Sequence, residues 1–223
     1  MTSAFDISRR HFLTGGASLS ALALAGCATT DIPEPVRGVA RIDPYYLAMY
    51  APNPSEKYPL PPVDLSQVDP AFWRAEVADP TGEKPGTLVV HAAERYLYLV
   101  GEGGRAMRYG CGVGKEGFAW HGHGHIGRKA VWPTWTPPAE MVARDPSARP
   151  YADGMPGGTN NPLGARALYI YTPQGTDSLY RVHGTNDPPS IGHAVSSGCI
   201  RLLDQDIIDL YGRVPVGAKV VVA

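Results

Sequence analysis

From Pro85 onward the pattern of apolar and polar positions becomes that of strands. "GTLVVH" (86–91) and "RYLYLV" (95–100) are rich in β-branched and aromatic residues, and Ala92-Ala93-Glu94 links them closely. Such runs predict a pair of strands. "GEGG" (101–104) reads as a turn and "RAMRYGCGVG" (105–114) as the returning strand. "RALYIY" (166–171) and "SLYRVHG" (178–184) predict a hairpin around "TPQGTD", and "AKVVVA" (218–223) predicts a last strand. Helical spacing is convincing in one place, "DQDIIDLYGRV" (204–214). There Ile207, Ile208, Leu210 and Tyr211 supply an inward face and Asp204 a cap. The pattern predicts a mainly β fold with few short helices.

Elsewhere the pattern weakens. Residues 28 to about 68 read as an extended arm, because Pro33, Pro35, Pro44, Pro52, Pro54, Pro59, Pro61 and Pro62 deny it helix and inner-strand hydrogen bonds. Tyr45, Tyr46, Tyr50 and Tyr58 in this arm are expected to pack in part onto the domain. Asp69-Pro70 can open a short helix through "DPAFWRAEV", with Asp69 at the N-cap. Residues 115–165, with Trp120, Trp132, Trp135 and many glycines and prolines, read as a long irregular stretch of the kind that more often carries function than not, and its "WHGHGHIG" segment reads as a loop bordering a cleft. The expected division is a leader over 1–27, a proline-rich arm over 28–84 and a strand-rich domain over 85–223.

The leader changes how the rest is read. Arg9 and Arg10 precede a mildly apolar run from about Ala17 to Ala25, the layout of an export signal too short for a permanent membrane helix. Ser8 to Leu13 resembles a twin-arginine signal, and Leu24-Ala25-Gly26-Cys27 resembles a bacterial lipobox. An exported, periplasmic protein is expected, attached to a membrane only through a lipid on Cys27 if that thiol is modified. The net charge is −1, and about −2 without the leader, which gives no reason to expect nucleic acid or an anionic lipid surface as partner.

Export sharpens the cysteine question. Besides Cys27 there are Cys111 and Cys199. In an oxidising compartment they either form a disulfide or leave Cys199 as a reactive thiol. The neighbours of Cys199 bear on the choice. Gly198 permits a sharp bend, and the N–H groups around Ser197, Gly198 and Cys199 suit an oxyanion hole. Arg201 shares a strand face with Cys199, where its guanidinium would favour thiolate or clamp a substrate carboxylate. His183, at the end of a predicted strand and followed by Gly184, is the candidate base. His193 lies in a Pro/Gly-rich turn and reads as loop structure or a substrate contact. His121, His123 and His125 alternate, as a three-histidine zinc site would require, but glycines interrupt them and no carboxylate is near in sequence to orient the rings. No metal is expected.

"HGT" (183–185) followed by "SSGCIRL" (196–202) resembles the catalytic signature of the L,D-transpeptidases, the YkuD-type domain of bacterial cell-wall enzymes. The likeness extends to "GVGKEGFAWHGHGHIGRKAVWPTWTPPAEM", "GMPGGTNNPLGARALYIY" and "VPVGAKVVV". It implies a β-sandwich catalytic domain with few short helices and no cofactor. It assigns Cys199 as nucleophile, His183 as base and Gly184 as the residue whose carbonyl orients the imidazole. Ser197 and Gly198 match the oxyanion segment, Ser196 opens it, and Arg201 matches the motif arginine. The pattern departs at Ser197, where many members carry histidine. The implied substrate is the peptidoglycan tetrapeptide stem. The acceptor is left open between a stem amine, water and a protein amine, as is a silent wall-anchoring role.

Overall fold

The computed structural model describes residues 42–114, 122–196 and 198–223. The leader with Arg9, Arg10 and Cys27 lies outside them, as do Trp120, His121 and Ser197. The strands are β1 (Ala75–Ala78), β2 (Leu88–His91), β3 (Tyr96–Val100), β4 (Arg105–Gly110), β5 (Val113–Gly114), β6 (Gly122–Val131), β7 (Arg166–Tyr171), β8 (Asp177–His183), β9 (Ala194–Ser196), β10 (Ile200–Arg201) and β11 (Lys219–Val222). Three α-helices accompany them: α1 (Pro44–Met49), α2 (Ala139–Arg144) and α3 (Asp204–Arg213). The mainly β character expected from the sequence is what forms.

One sheet of nine strands runs in the order β1-β4-β3-β2-β11-β6-β7-β8-β10, and β5 pairs with β9 in a small ribbon. β4 and β10 lie near opposite ends of that order. Yet Gly112, two residues beyond β4, exchanges backbone hydrogen bonds with Arg201 of β10, at 2.9 and 2.8 Å. A flat sheet of this width would hold them tens of ångströms apart, since neighbouring strands lie about 4.8 Å apart. The sheet therefore curls until its ends meet. The two-layer packing is made by one sheet closing on itself. Leu88, Leu97, Tyr109, Ile126, Leu168, Ile170, Val182, Ile200 and Val220 share one buried cluster inside the curl. Burying each large side chain contributes about 1.5–3 kcal/mol.

Helix α3 closes the open side of this core with Ile207 and Leu210, both fully buried. Lys129 of β6 donates from Nζ to the Tyr211 and Val214 carbonyls, 2.6 Å each, and so satisfies the helix C-terminus. Asp204 is not the cap expected of it: Leu203 holds the N-cap position without a side-chain bond. The Asp204 carboxylate instead accepts the Ala165 N–H at 2.8 Å.

Three further expectations are corrected. The predicted helix over 69–77 stops after one 3-10 turn, Pro70–Phe72. Asp69 does accept the Ala71 N–H, but residues 75–78 then pair with β4 as an edge strand, because tertiary pairing satisfies more backbone groups than a short helix would. The arm is not helix-free: Pro44 starts α1, where its missing N–H costs nothing. The stretch 115–165 is not wholly irregular, since Gly122–Val131 is the longest strand in the fold. Its glycines make room. A side chain at Gly124 would strike the Tyr171 carbonyl, 2.5 Å away, and one at Gly127 would strike the Tyr171 ring.

The arm's tyrosines pack in part, as expected. Tyr50 is buried, donates to Asp206 Oδ2 at 3.2 Å and accepts the Arg74 N–H at 2.7 Å. Tyr46 lies against Trp73 and Tyr58 against Trp132, while Tyr45 is exposed. Glu56 accepts from both Arg166 and the Trp132 indole, which pins this segment to β6 and β7.

Candidate active site

Strand pairing brings the two ends of the opening motif together. β10 pairs in parallel with β8, placing Arg201 opposite His183 and Ile200 opposite Val182. The Leu202 N–H then bonds the His183 carbonyl at 2.8 Å. Parallel partners need a long crossover. Residues 184–199 supply it, and that is how residues sixteen positions apart come to line one cavity.

His183 is buried and lines a cavity of about 570 Å³, together with Cys199, Gly198, Arg201 and Tyr180. His183 Nδ1 donates to the Gly184 carbonyl at 2.6 Å. A carbonyl only accepts, so Nδ1 carries the proton and Nε2 keeps its lone pair. Burial pushes the imidazole down to about 4, the Gly184 hydrogen bond opposing and the guanidinium charges of Arg201 and Arg181 reinforcing the shift. At neutral pH the ring is therefore uncharged and able to take a proton. Burial likewise pushes the Cys199 thiol up, partly offset by the Arg181 N–H and by the charges of Arg181 and Arg201. Its Sγ lies 4.0 Å from the Leu179 carbonyl oxygen.

Gly184 has no space for a side chain. A Cβ there would strike Asp204 Oδ1 and come within 3.1 Å of Ala165 N and Ile207. Burial raises Asp204 to about 6, although hydrogen bonds from the Ala165 and Thr185 N–H groups favour its charged form. Gly198 takes φ +127, a conformation that glycine adopts readily, so the bend expected before Cys199 is present. Leu179 holds φ +65 without being glycine, a strained backbone directly beside the thiol, with its side chain exposed.

Cys111 and Cys199 are both free thiols. Cys111 is fully buried in the core, where desolvation pushes it up to about 12. Arg201 forms a loose ion pair with Asp187 at 3.7 Å. Ser196 belongs to β9, paired with Gly114, while Ser197 lies outside the described residues. His193 is exposed and lines neither cavity at Cys199. His123 and His125 lie two apart on β6.

The sequence reading missed several lining residues. Trp135, Pro138, Met141 and Leu163 wall the cavity, and a second cavity of about 460 Å³ adjoins it, sharing Cys199, Leu179 and Trp135. The aromatics of 115–165, Trp135 among them, were the available signal, and they marked the stretch only as functional. Nothing local marked Asp204, Leu179 or Tyr180.

The curled β domain thus holds a free thiol and a carbonyl-oriented neutral imidazole in one cavity, the two kinds of group that nucleophilic thiol chemistry uses. Residues 85–222, more than half of the chain, match the family described as YkuD, L,D-transpeptidase catalytic domain, and the chain belongs to that family. YbiS of Escherichia coli strain K12, described as a probable L,D-transpeptidase, is 38% identical over 139 residues, 60% of this chain and 43% of that protein. ErfK/SrfK of the same strain, likewise a probable L,D-transpeptidase, is 36% identical over 140 residues, 60% and 42%. The match thus spans about two fifths of the length of these relatives. A solved structure from Brucella melitensis, described as a probable carnitine operon oxidoreductase caia, is 43% identical, with 72% of this chain and 99% of that chain covered and a TM-score of 0.49. No helix among the described residues is long and apolar enough to cross a membrane.

Proposed function

We propose that this chain is an L,D-transpeptidase that acts on peptidoglycan tetrapeptide stems through a Cys199 thioester. One observation carries the reading: a buried imidazole, held neutral by desolvation and oriented by the Gly184 carbonyl, lines the same cavity as a free thiol. Cys199 Sγ adds to the carbonyl of the L-centre of the stem's diamino acid. His183 Nε2 takes the thiol proton as the bond forms and gives it to the departing amine of the terminal D-alanine. The C–N bond breaks and a thioester remains. An amine then attacks the thioester and surrenders its proton to His183, and the sulfur leaves as the thiol. Ser197, Gly198 and the Cys199 N–H serve the oxyanion, with Ser196 and Arg201 beside them. Neither cofactor nor metal takes part.

The leader supports export to the periplasm, where this substrate lies, with a lipid on Cys27 as the membrane attachment. The test is product analysis by mass spectrometry with purified disaccharide-tetrapeptide. The acyl-enzyme forms in the parent chain and in Cys111→Ser and is absent in Cys199→Ala. Crosslinked dimer is the expected product. Tripeptide alone makes the enzyme a carboxypeptidase, and a stem-modified protein makes it an attachment enzyme. Equal loss in both cysteine variants, or a Cys199 thiol inert to tetrapeptide and to a carbapenem alike, overturns the proposal.

A further inference from the structure

Cys199 lines two adjoining cavities of opposite character. The larger is lined by two carboxylates, Glu140 and Asp145, as well as by Arg201. The smaller is lined by Arg128 and Arg181 and, among the described residues, by no carboxylate. Three neighbouring strands build that cationic wall. Arg128 of β6 pairs with Tyr169 of β7, and Tyr169 pairs with Arg181 of β8, so the three side chains form a row across one face of the sheet. The Arg128 guanidinium lies 3.5 Å from the centre of the Tyr169 ring and that of Arg181 lies 4.6 Å from it.

The two arginines are not equivalent. Arg181 is already ion-paired with Asp177, whose two carboxylate oxygens it holds at 2.9 and 3.1 Å. Arg128 has neither a carboxylate partner nor an acceptor for its side-chain N–H groups among the described residues, and the buried Tyr169 ring is its support. Stacking on a ring fixes the plane of a guanidinium and leaves its edge for a bidentate anion. The other arginine lining the pair of cavities, Arg201, already faces Asp187.

We propose that Arg128, supported on Tyr169, is the receptor for the terminal carboxylate of the donor stem, and so selects stems that end in a free D-amino acid. The inference rests on the transpeptidase reading and names a specificity residue for it. That carboxylate belongs to the residue just beyond the carbonyl that Cys199 attacks, so it lies within about 4 Å of the reacting carbon along the chain. A cation lining the same small cavity as Cys199 is where such a group would be received. Holding the leaving residue by its carboxylate also fixes the scissile bond over the sulfur.

The experiment uses the full chain and its Arg128→Gln and Arg128→Lys variants. Each is given a synthetic tetrapeptide stem ending in D-alanine and the same peptide ending in D-alaninamide, and release of the terminal residue is followed by mass spectrometry. The parent enzyme is expected to prefer the acid by roughly ten- to a hundredfold in kcat/KM, the range for a hydrogen bond to a charged group. Arg128→Gln brings the acid-to-amide ratio close to one, and Arg128→Lys restores part of it. A parent ratio near one, or an Arg128→Gln ratio equal to the parent's, overturns the inference and leaves the transpeptidase reading standing. Variants that slow both substrates by the same factor assign Arg128 a structural role and overturn it too. A parent chain that releases neither residue refutes the transpeptidase reading itself, and the inference with it.

Discussion

Gly184 and Asp204 are packed so closely that no atom fits between the glycine Cα and the aspartate carboxylate. The same carboxylate accepts the Ala165 N–H at 2.8 Å, and the Gly184 carbonyl takes the Nδ1 proton of His183 at 2.6 Å. Helix α3 thus reaches the imidazole through one glycine. Gly184→Ala is expected to push this contact apart, destabilise the fold by about 1–3 kcal/mol and lower the rate of acyl-enzyme formation. Thermal unfolding and single-turnover mass spectrometry check the two effects. Asp204→Ala is expected to cost about 1–3 kcal/mol by orphaning buried N–H groups, and Asp204→Asn less, because its carbonyl oxygen still accepts.

The pH dependence of acylation follows from His183. Its ring is held near 4 by burial, so it stays neutral until the solution is acidic. Lowering the pH protonates the base and removes activity. The acid limb of kcat/KM for D-alanine release is therefore expected at about 4, well below the usual histidine value of roughly 6.5. A limb near the ordinary histidine value would show that the imidazole is solvated in the working enzyme.

A second pH effect concerns stability. Asp206 is fully buried between Tyr50, Arg74 and Asp209, and desolvation raises it to about 7 despite the Arg74 charge. A carboxylic acid whose pKa is raised on folding favours the folded state while protonated. That contribution is complete below about 4, the unfolded value, and is lost as the pH rises through about 7. Asp206→Asn removes this titration. Its urea midpoint relative to the parent's is expected to improve steadily between pH 4 and pH 7.5. A constant difference across that range would mean that Arg74 keeps Asp206 charged throughout.

Glu56 ties the proline-rich segment to the sheet. It pairs with Arg166 and accepts the Trp132 indole N–H at 2.9 Å, and both charged side chains are about nine-tenths buried. Glu56→Ala leaves a largely buried guanidinium without its carboxylate and is expected to cost about 2–4 kcal/mol. Limited proteolysis is expected to cut residues 42–60 first in this variant. Unchanged stability would mean that the segment's tyrosines alone hold it.

The thiols are expected to separate under alkylation of the folded protein. Cys111 is inaccessible in the core and its pKa is pushed up to about 12, whereas Cys199 faces a cavity. Iodoacetamide followed by peptide mapping is expected to label Cys199 and spare Cys111, slowly at pH 7 because the Cys199 thiol is also raised. Labelling of both at equal rates would require the core to open.

The strands 86–91, 95–100, 166–171 and 178–184 and helix 204–214 were legible because each has a local period that its neighbours do not contradict. His183 and Cys199 were legible as candidates because a short motif holds glycines, an imidazole and a thiol together, and the structure places both in one cavity. Strand β6 was not, since its glycines look like breakers until Tyr171 is placed over them. The fate of residues 69–77 was not either, because a helix and an edge strand differ there only in what β4 offers across the gap.

By itself the sequence determined the β-rich class and the candidate thiol and base, all of which depend on residues near one another along the chain. Only the tertiary structure decided that the sheet curls until Gly112 meets Arg201, that Asp204 supports Gly184 instead of capping its helix, and that Arg128, stacked on Tyr169, lines a cavity with Cys199. Those are contacts between segments far apart in sequence. They are set by which buried polar groups find partners when the core closes, and no local period records that.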